Sequence, residues 1–161
     1  MKPAGDWVHH ELRTEIEIDA TAERVWSALI DFAAYPAWNP FIRSVRGLPV
    51  AGHTLEIRIQ PSGASGMTFR PRVLVADSPR ELRWLGRLLL PGIFDGEHSF
   101  RIEPIGVNRV RFHQSERFSG VLVPFLWRTL DGATRRGFEE MNAALKRRIE
   151  DRTDNASSPT R

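Results

Sequence analysis

Cysteine is absent from this 161-residue chain. That excludes a disulfide scaffold, thiolate metal sites and a cysteine nucleophile together, and it suits a reducing compartment. Long apolar runs are also missing. The stretches at residues 88–91 and 121–127 fall far short of the roughly 20 residues that a spanning helix needs. The opening stretch MKPAGDWVHHELRTE has no apolar signal core. Export and stable membrane insertion are therefore not expected, and a cytoplasmic location is. No HExxH, Walker loop, GxGxxG or GxSxG pattern occurs, so neither a cofactor nor a dedicated metal site is expected. His9-His10-Glu11 resembles a metal fragment, but neighbours on a strand point to opposite faces. His53 and His113 lack partners at ligand spacing.

Charge of one sign is scarce too. The 23 basic residues oppose 20 acidic ones, for a net +3, and the signs are mixed along the chain. The sequence pI of about 10.1 reflects arginine content more than a concentrated field. Only Lys146-Arg147-Arg148 forms a like-signed run, with Glu150 and Asp151 close behind. No nucleic-acid partner is expected. The 41% hydrophobic and 27% charged composition is ordinary for a globular domain.

Periodicity supplies the elements. Leu12, Ile16 and Ile18 alternate with Glu11, Arg13, Glu15 and Glu17, which predicts a half-buried strand. Thr21 suits a helix cap, Glu23 suits the positive end of the helix, and Val25, Trp26, Leu29 and Ile30 make its inward stripe. Tyr35-Pro36 should turn the chain out of the helical region. Strands follow through Leu55, Ile57 and Ile59, and through Phe69, Val73 and Val75 with Pro71 as an edge or bulge. Leu82 and Trp84 mark another. His98, Phe100 and Ile102 share one face of the next, and Val110, Phe112, Gln114, Glu116 and Phe118 one face of the last. Short turns make these an antiparallel meander. Trp127, Leu130, Thr134, Phe138, Met141, Leu145 and Ile149 then recur every three or four residues as the stripe of a long helix, with Pro124 in its first turn. Gly132 and Gly137 are candidate bend points.

The predicted architecture is α+β: about seven antiparallel strands curved around a long C-terminal helix, with two short helices after the first strand. Residues 1–151 form one domain, and 152–161 a polar tail without fixed structure. A curved sheet cannot close fully on a helix about 10–12 Å across. The gap is a cavity unless bulky side chains fill it.

The segments AERVWSAL (22–29), YPAWNPF (35–41), GEHSF (96–100) and FEEMN (138–142) resemble the SRPBCC superfamily, the START-like helix-grip proteins that include polyketide cyclase/dehydrase-like members. The resemblance spans roughly residues 8–150. It implies binding of a hydrophobic or aromatic small molecule between sheet and helix, or else a cyclase, aromatase or dehydratase-like activity. A third reading is an interaction module without a ligand.

His98 is the leading candidate. A turn near residues 105–107 that pairs Ile102 with Val110 sets His98 opposite Gln114 and diagonal to Glu116. Three polar groups then converge on an apolar wall. On the enzyme reading His98 is the acid/base, Glu116 its orienter and Gln114 a carbonyl-polarising donor. The same histidine would serve equally as a buried core residue partnered by Glu116. Trp38, Trp84, Phe94, Phe100, Phe112 and Trp127 are candidate wall residues, each also suited to ordinary core. Trp26 reads as core. Asp95 and Glu97 have the opposite parity to His98 and should face outward. Phe125 and Trp127 with residues 88–92 would form a pocket mouth, which would also suit a homodimer patch.

Overall fold

The computed structural model describes residues 9–156 apart from Ala64 and Leu89. In chain order the elements are β1 (His10–Ile18), α1 (Ala22–Ile30), a 3-10 turn (Phe32–Ala34), α2 (Tyr35–Trp38), β2 (Ile42–Arg46), β3 (Glu56–Ile59), β4 (Met67–Phe69), β5 (Arg72–Asp77), β6 (Glu81–Leu88), β7 (Phe94–Gly106), β8 (Arg109–Ser119) and α3 (Val123–Ala156). The strands form a five-stranded sheet, β1-β8-β7-β6-β5, and a three-stranded sheet, β2-β3-β4. All pairs are antiparallel. Meanders run over β5–β8 and over β2–β4, and β1 pairs with β8 at the far edge of the large sheet.

Two prolines account for the departures from expectation. Phe69 and Val73 do not share a strand: the chain breaks at Arg70-Pro71 into β4 and β5, which belong to different sheets. Proline has no N–H to donate to a ladder, so the break costs no hydrogen bond there. At Tyr35-Pro36 the chain stays helical, with Tyr35 at φ −51° and ψ −44°. Pro36 lies in the first turn of α2, where its missing N–H has no partner to lose. The Tyr35 hydroxyl donates to the Leu29 carbonyl at 2.6 Å and ties α2 to α1. Burial, with Asp31 nearby, pushes that phenol well above its ordinary range. Thr21 caps α1 by accepting from the Arg24 N–H at 3.3 Å.

α3 is one uninterrupted helix. It runs past the expected end at Asp151 to Ala156, and residues 157–161 lie outside the described part. Phe138, Met141, Leu145 and Ile149 are buried as the stripe requires, and Trp127 is half-buried. The Leu130 side chain is outside the described residues. Polar staples fix the helix along β1: Asn142 Nδ2 donates to Thr14 Oγ1 at 3.0 Å, Lys146 Nζ to the Glu17 carbonyl at 2.7 Å, and the Asp19 N–H to Glu150 at 2.9 Å. Gly137 is the point of closest approach, since a Cβ there would overlap the Phe41 ring. Gly132 has open space around it. Among the described residues no helix is long and apolar enough to cross a membrane.

The outer face of the large sheet is a lattice of ion pairs. Glu17 meets Arg109 at 2.6 Å and Arg111 at 3.1 Å, and Glu103 meets His113 at 2.8 Å. The Arg111 hydrogen bond holds Glu17 below its ordinary value of 4.5, and the His113 hydrogen bond does the same for Glu103.

Two tests follow from this packing. Gly132→Ala should stabilise the protein by roughly 0.5–1 kcal/mol through helix propensity. Gly137→Ala should destabilise it by about 1–3 kcal/mol, because overpacking against Phe41 outweighs that gain; denaturant unfolding of both variants checks the opposite signs. Because Glu17 and Glu103 titrate lower when folded, their contribution is fully present above about pH 4.5 and drains away as they take up protons below it. The unfolding temperature should therefore fall through that acid range and less steeply for Glu103→Gln, as read by thermal melts against pH.

Candidate functional site

The site grows out of the β7–β8 hairpin. Its tight turn puts Gly106 opposite Arg109, and a bulge between Gly106 and Pro104 shifts the pairing by one residue, so Pro104 faces Val110, Ile102 faces Phe112, Phe100 faces Gln114 and His98 faces Glu116. This differs by two residues from the expected pairing of Ile102 with Val110. A shift of two preserves parity, so the same side chains still point inward, but His98 lies directly across from Glu116 and diagonal to Gln114.

His98 Nδ1 stands 3.4 Å from a Glu116 carboxylate oxygen, and His98 Nε2 stands 3.2 Å from Gln114 Nε2. Gln114 Nε2 carries protons, so it donates and His98 Nε2 accepts. The neutral ring then bears its proton on Nδ1 and donates it to Glu116. That one arrangement satisfies both contacts, so Gln114 and Glu116 favour the same tautomer. Gln114 Nε2 also reaches Met141 Sδ at 3.6 Å, whereas Gln114 Oε1 is buried without a partner. The imidazole stacks on Trp84 with centroids 5.2 Å apart and planes 14° apart, and meets the edge of Phe138 at 4.9 Å.

The inner end of the grip is filled. Phe100, Phe112, Gln114, Phe138 and Met141 have no exposed surface and Trp84 only 1%, so their side chains pack on one another and not on solvent. Bulky side chains have closed the gap that the sequence left open. Solvent reaches the trio from one side: the Glu116 side chain is 20% exposed against 6% for His98. Beyond Glu116 stands a second aromatic group. Phe118 lies 5.7 Å from Phe94 and 6.0 Å from Trp127, which in turn stacks on His10 at 4.3 Å. Between the two groups Gly86 faces Gly96 across β6 and β7. A Cβ on Gly96 would stand 2.6 Å from Glu116 Oε1, and one on Gly86 would stand 3.3 Å from the Phe69 ring. The glycine pair is a notch in the inner wall into which carboxylate and ring lean.

Trp84, Phe94, His98, Phe100, Phe112, Gln114, Glu116 and Trp127 thus all lie along one inner face. Trp38 does not join them. It sits on α2 against Tyr35, with the Arg148 guanidinium 5.9 Å above its ring. Arg148 and Trp127 are about 30 Å apart along α3 at 1.5 Å per residue, too far to wall one small pocket. Asp95 and Glu97 face outward, with Arg87 at 3.9 Å and Arg83 at 3.1 Å. Phe69, Gly86, Gly96 and Phe138 were not foreseen. Two isolated glycines within strand patterns were the available signal. Two open grooves lie elsewhere: one of about 460 Å³ between α1 and Arg148, another of about 670 Å³ on the outer sheet face around Ser99, Arg101 and His113. Among the described residues no three His, Asp or Glu are grouped to hold a metal ion.

A five-stranded sheet and a smaller sheet closed on one long helix define a helix-grip protein. The chain belongs to the family described as polyketide cyclase / dehydrase and lipid transport, whose model matches residues 9–150, within the START-like SRPBCC superfamily. No curated protein sequence matches it significantly. Among solved structures it is similar to the Zhui aromatase/cyclase from Streptomyces sp. R1128, at 16% identity and TM-score 0.77, over 94% of this chain and 100% of that one. It is similar to a START superfamily protein from Mycobacterium smegmatis at 24% identity and TM-score 0.67, over 88% and 98%. It is also similar to norcoclaurine synthase from Thalictrum flavum, solved with dopamine and hydroxybenzaldehyde, at 12% identity and TM-score 0.67, over 99% and 97%. At these identities the likeness carries the fold alone.

The tautomer is directly measurable. Long-range proton–nitrogen NMR at alkaline pH should show His98 protonated on Nδ1 alone. In Gln114→Leu the Glu116 carboxylate still faces Nδ1, so that tautomer should persist; only when Glu116→Leu is added should the two tautomers become comparably populated.

Proposed function

We propose that the protein binds a hydrophobic or aromatic small molecule between the large sheet and the first half of α3. The molecule enters from the Glu116 side. The observation that carries this reading is the polar trio in an aromatic wall: one partly exposed carboxylate, with an imidazole and an amide behind it, among side chains that are otherwise apolar. Apolar burial of about 25 cal/mol per Å² drives such binding, and the few polar groups orient the ligand. Phe94 and Trp127 wall the outer end. Trp84, Phe100 and Phe112 back the histidine and open further only by rotamer change, so the ligand lies mainly beyond Glu116. The family description, with its cyclases, dehydrases and lipid transport, is compatible with this class of ligand.

A second reading is favoured by the His98–Glu116 pair itself. With Nδ1 facing the carboxylate at 3.4 Å, the pair has the layout of an acid/base couple for a cyclase or dehydratase-like reaction, with Gln114 as a hydrogen-bond donor. The two readings separate on substitution of the histidine. In a carrier, His98→Gln alters affinity and no chemistry is lost; in an enzyme it abolishes turnover while the ligand still binds.

Native mass spectrometry of freshly purified protein is expected to show a co-purifying small molecule, and the uncharged dye Nile red is expected to bind with enhanced fluorescence. Trp127→Ala should weaken dye binding about tenfold, the loss of one aromatic wall contact. Unchanged dye affinity in both Trp127→Ala and Phe94→Ala removes the proposed site.

A further inference from the structure

The end of the molecule beside Trp127 carries an apolar tip. Leu90, Val121, Leu122, Phe125 and Leu126 are all exposed, Phe125 by 83% and Leu90 by 66%. They come from two segments, the turn between β6 and β7 and the entry to α3, joined by backbone hydrogen bonds. The Val121 N–H donates to the Gly92 carbonyl and the Leu122 N–H to the Ile93 carbonyl, both at 3.1 Å. Gly120, at φ +125°, packs so closely on the Ile93 carbonyl that a Cβ has no room. The tip is therefore one built surface. Residues 122, 125 and 126 share a side of the helix by their three- and four-residue spacing.

The rim of this tip is cationic. Arg128 follows Phe125 by one helical turn and is exposed, as are Arg117 near the end of β8 and Arg87 on β6. Arg117 stands opposite Glu11 and Glu97 in the sheet and helps hold the Glu11 carboxyl below its ordinary range, whereas Arg128 is in no ion pair among the described residues. The nearby acids are engaged: Asp95 is mostly buried, accepts the Gly92 N–H at 3.2 Å and faces Arg87 at 3.9 Å; Asp131 is bound by Arg135 at 3.1 Å. An exposed apolar surface with the Arg128 guanidinium, in no ion pair among the described residues, one helical turn behind it matches a surface with an apolar interior and anionic headgroups. A two-fold pairing of the tip with a second copy would set the same arginines against each other. We propose that this tip docks the protein reversibly on anionic lipid bilayers, with Phe125, Leu122 and Leu90 in the acyl boundary and Arg128 among the headgroups. Its purpose rests on the ligand reading above. The tip adjoins Trp127, so a docked protein presents the outer end of the grip to the bilayer, and an apolar molecule can pass between them without crossing water.

Co-sedimentation with vesicles tests this on the full chain. The protein should pellet with phosphatidylcholine vesicles containing phosphatidylglycerol, at least tenfold more than with phosphatidylcholine alone, and high salt should release it. Phe125→Asp, at an exposed position that leaves the core untouched, should reduce partitioning at least tenfold, and Arg128→Glu should abolish the preference for the anionic vesicles. No pelleting with either vesicle, or unchanged pelleting of Phe125→Asp, overturns the proposal. So does a concentration-dependent dimer in sedimentation velocity that Phe125→Asp abolishes, without vesicle binding. Nile red binding measured in parallel separates the two claims: retained dye binding without vesicle binding defeats the docking alone, and vesicle binding without dye binding defeats the ligand reading alone.

Discussion

The pairing of β7 with β8 is the constraint on which the rest depends. These strands run from Phe94 to Gly106 and from Arg109 to Ser119. Their inward rows, from His98 to Ile102 and from Val110 to Phe118, carry the buried imidazole, amide and aromatic rings, which meet Phe138 and Met141 of α3. A tight turn at one end and the bulge between Pro104 and Gly106 set the register for the rest of the hairpin, and β1 and β6 are laid down on either side of it. Side-chain period is two, so a slip of one residue would turn every inward aromatic to water and bring the arginines of the outer lattice into the core. Such a slip would cost far more than the hydrogen bonds it preserves. The hairpin is thus strongly specified, and the position of His98 with it.

Given that hairpin, the polar trio is a consequence of burial. An imidazole with 4% exposure and an amide with none must find partners, and they find one another and Glu116. The gradient of exposure along β8, from closed Gln114 to partly open Glu116, gives the site a direction. On one side lies a packed aromatic core; on the other, a looser group around Phe118 and Trp127 that leads out to the apolar tip. The Gly86–Gly96 notch sits at the boundary between them. Backbone without side chains allows a carboxylate and a ring to occupy space that any other residue would fill.

Packing along α3 is equally uneven. From Phe138 onward the helix is buried on its stripe, stapled to β1 by Asn142, Lys146 and Glu150, and brought against Phe41 at Gly137. From Val123 to Arg136 it has fewer buried side chains and more exposed ones. One half anchors the fold; the other faces the partly open end, where any guest molecule would be admitted.

Alternation and helical spacing, read from the chain alone, determined the element types, the inward parity of His98, Phe100, Phe112, Gln114 and Glu116, the stripe of α3 and the outward placing of Asp95 and Glu97. These are local periodicities, carried by each residue and its near neighbours. Tertiary structure decided the two-residue register of the hairpin, the division of the strands into two sheets at Pro71, the removal of Trp38 to the far end of α3, and the filling of the inner grip. Each depends on how side chains distant in sequence share volume, for which no short pattern stands proxy. Parity survives an even-numbered error in register, so the right residues could be named while their partners, and the space between them, were settled only by packing.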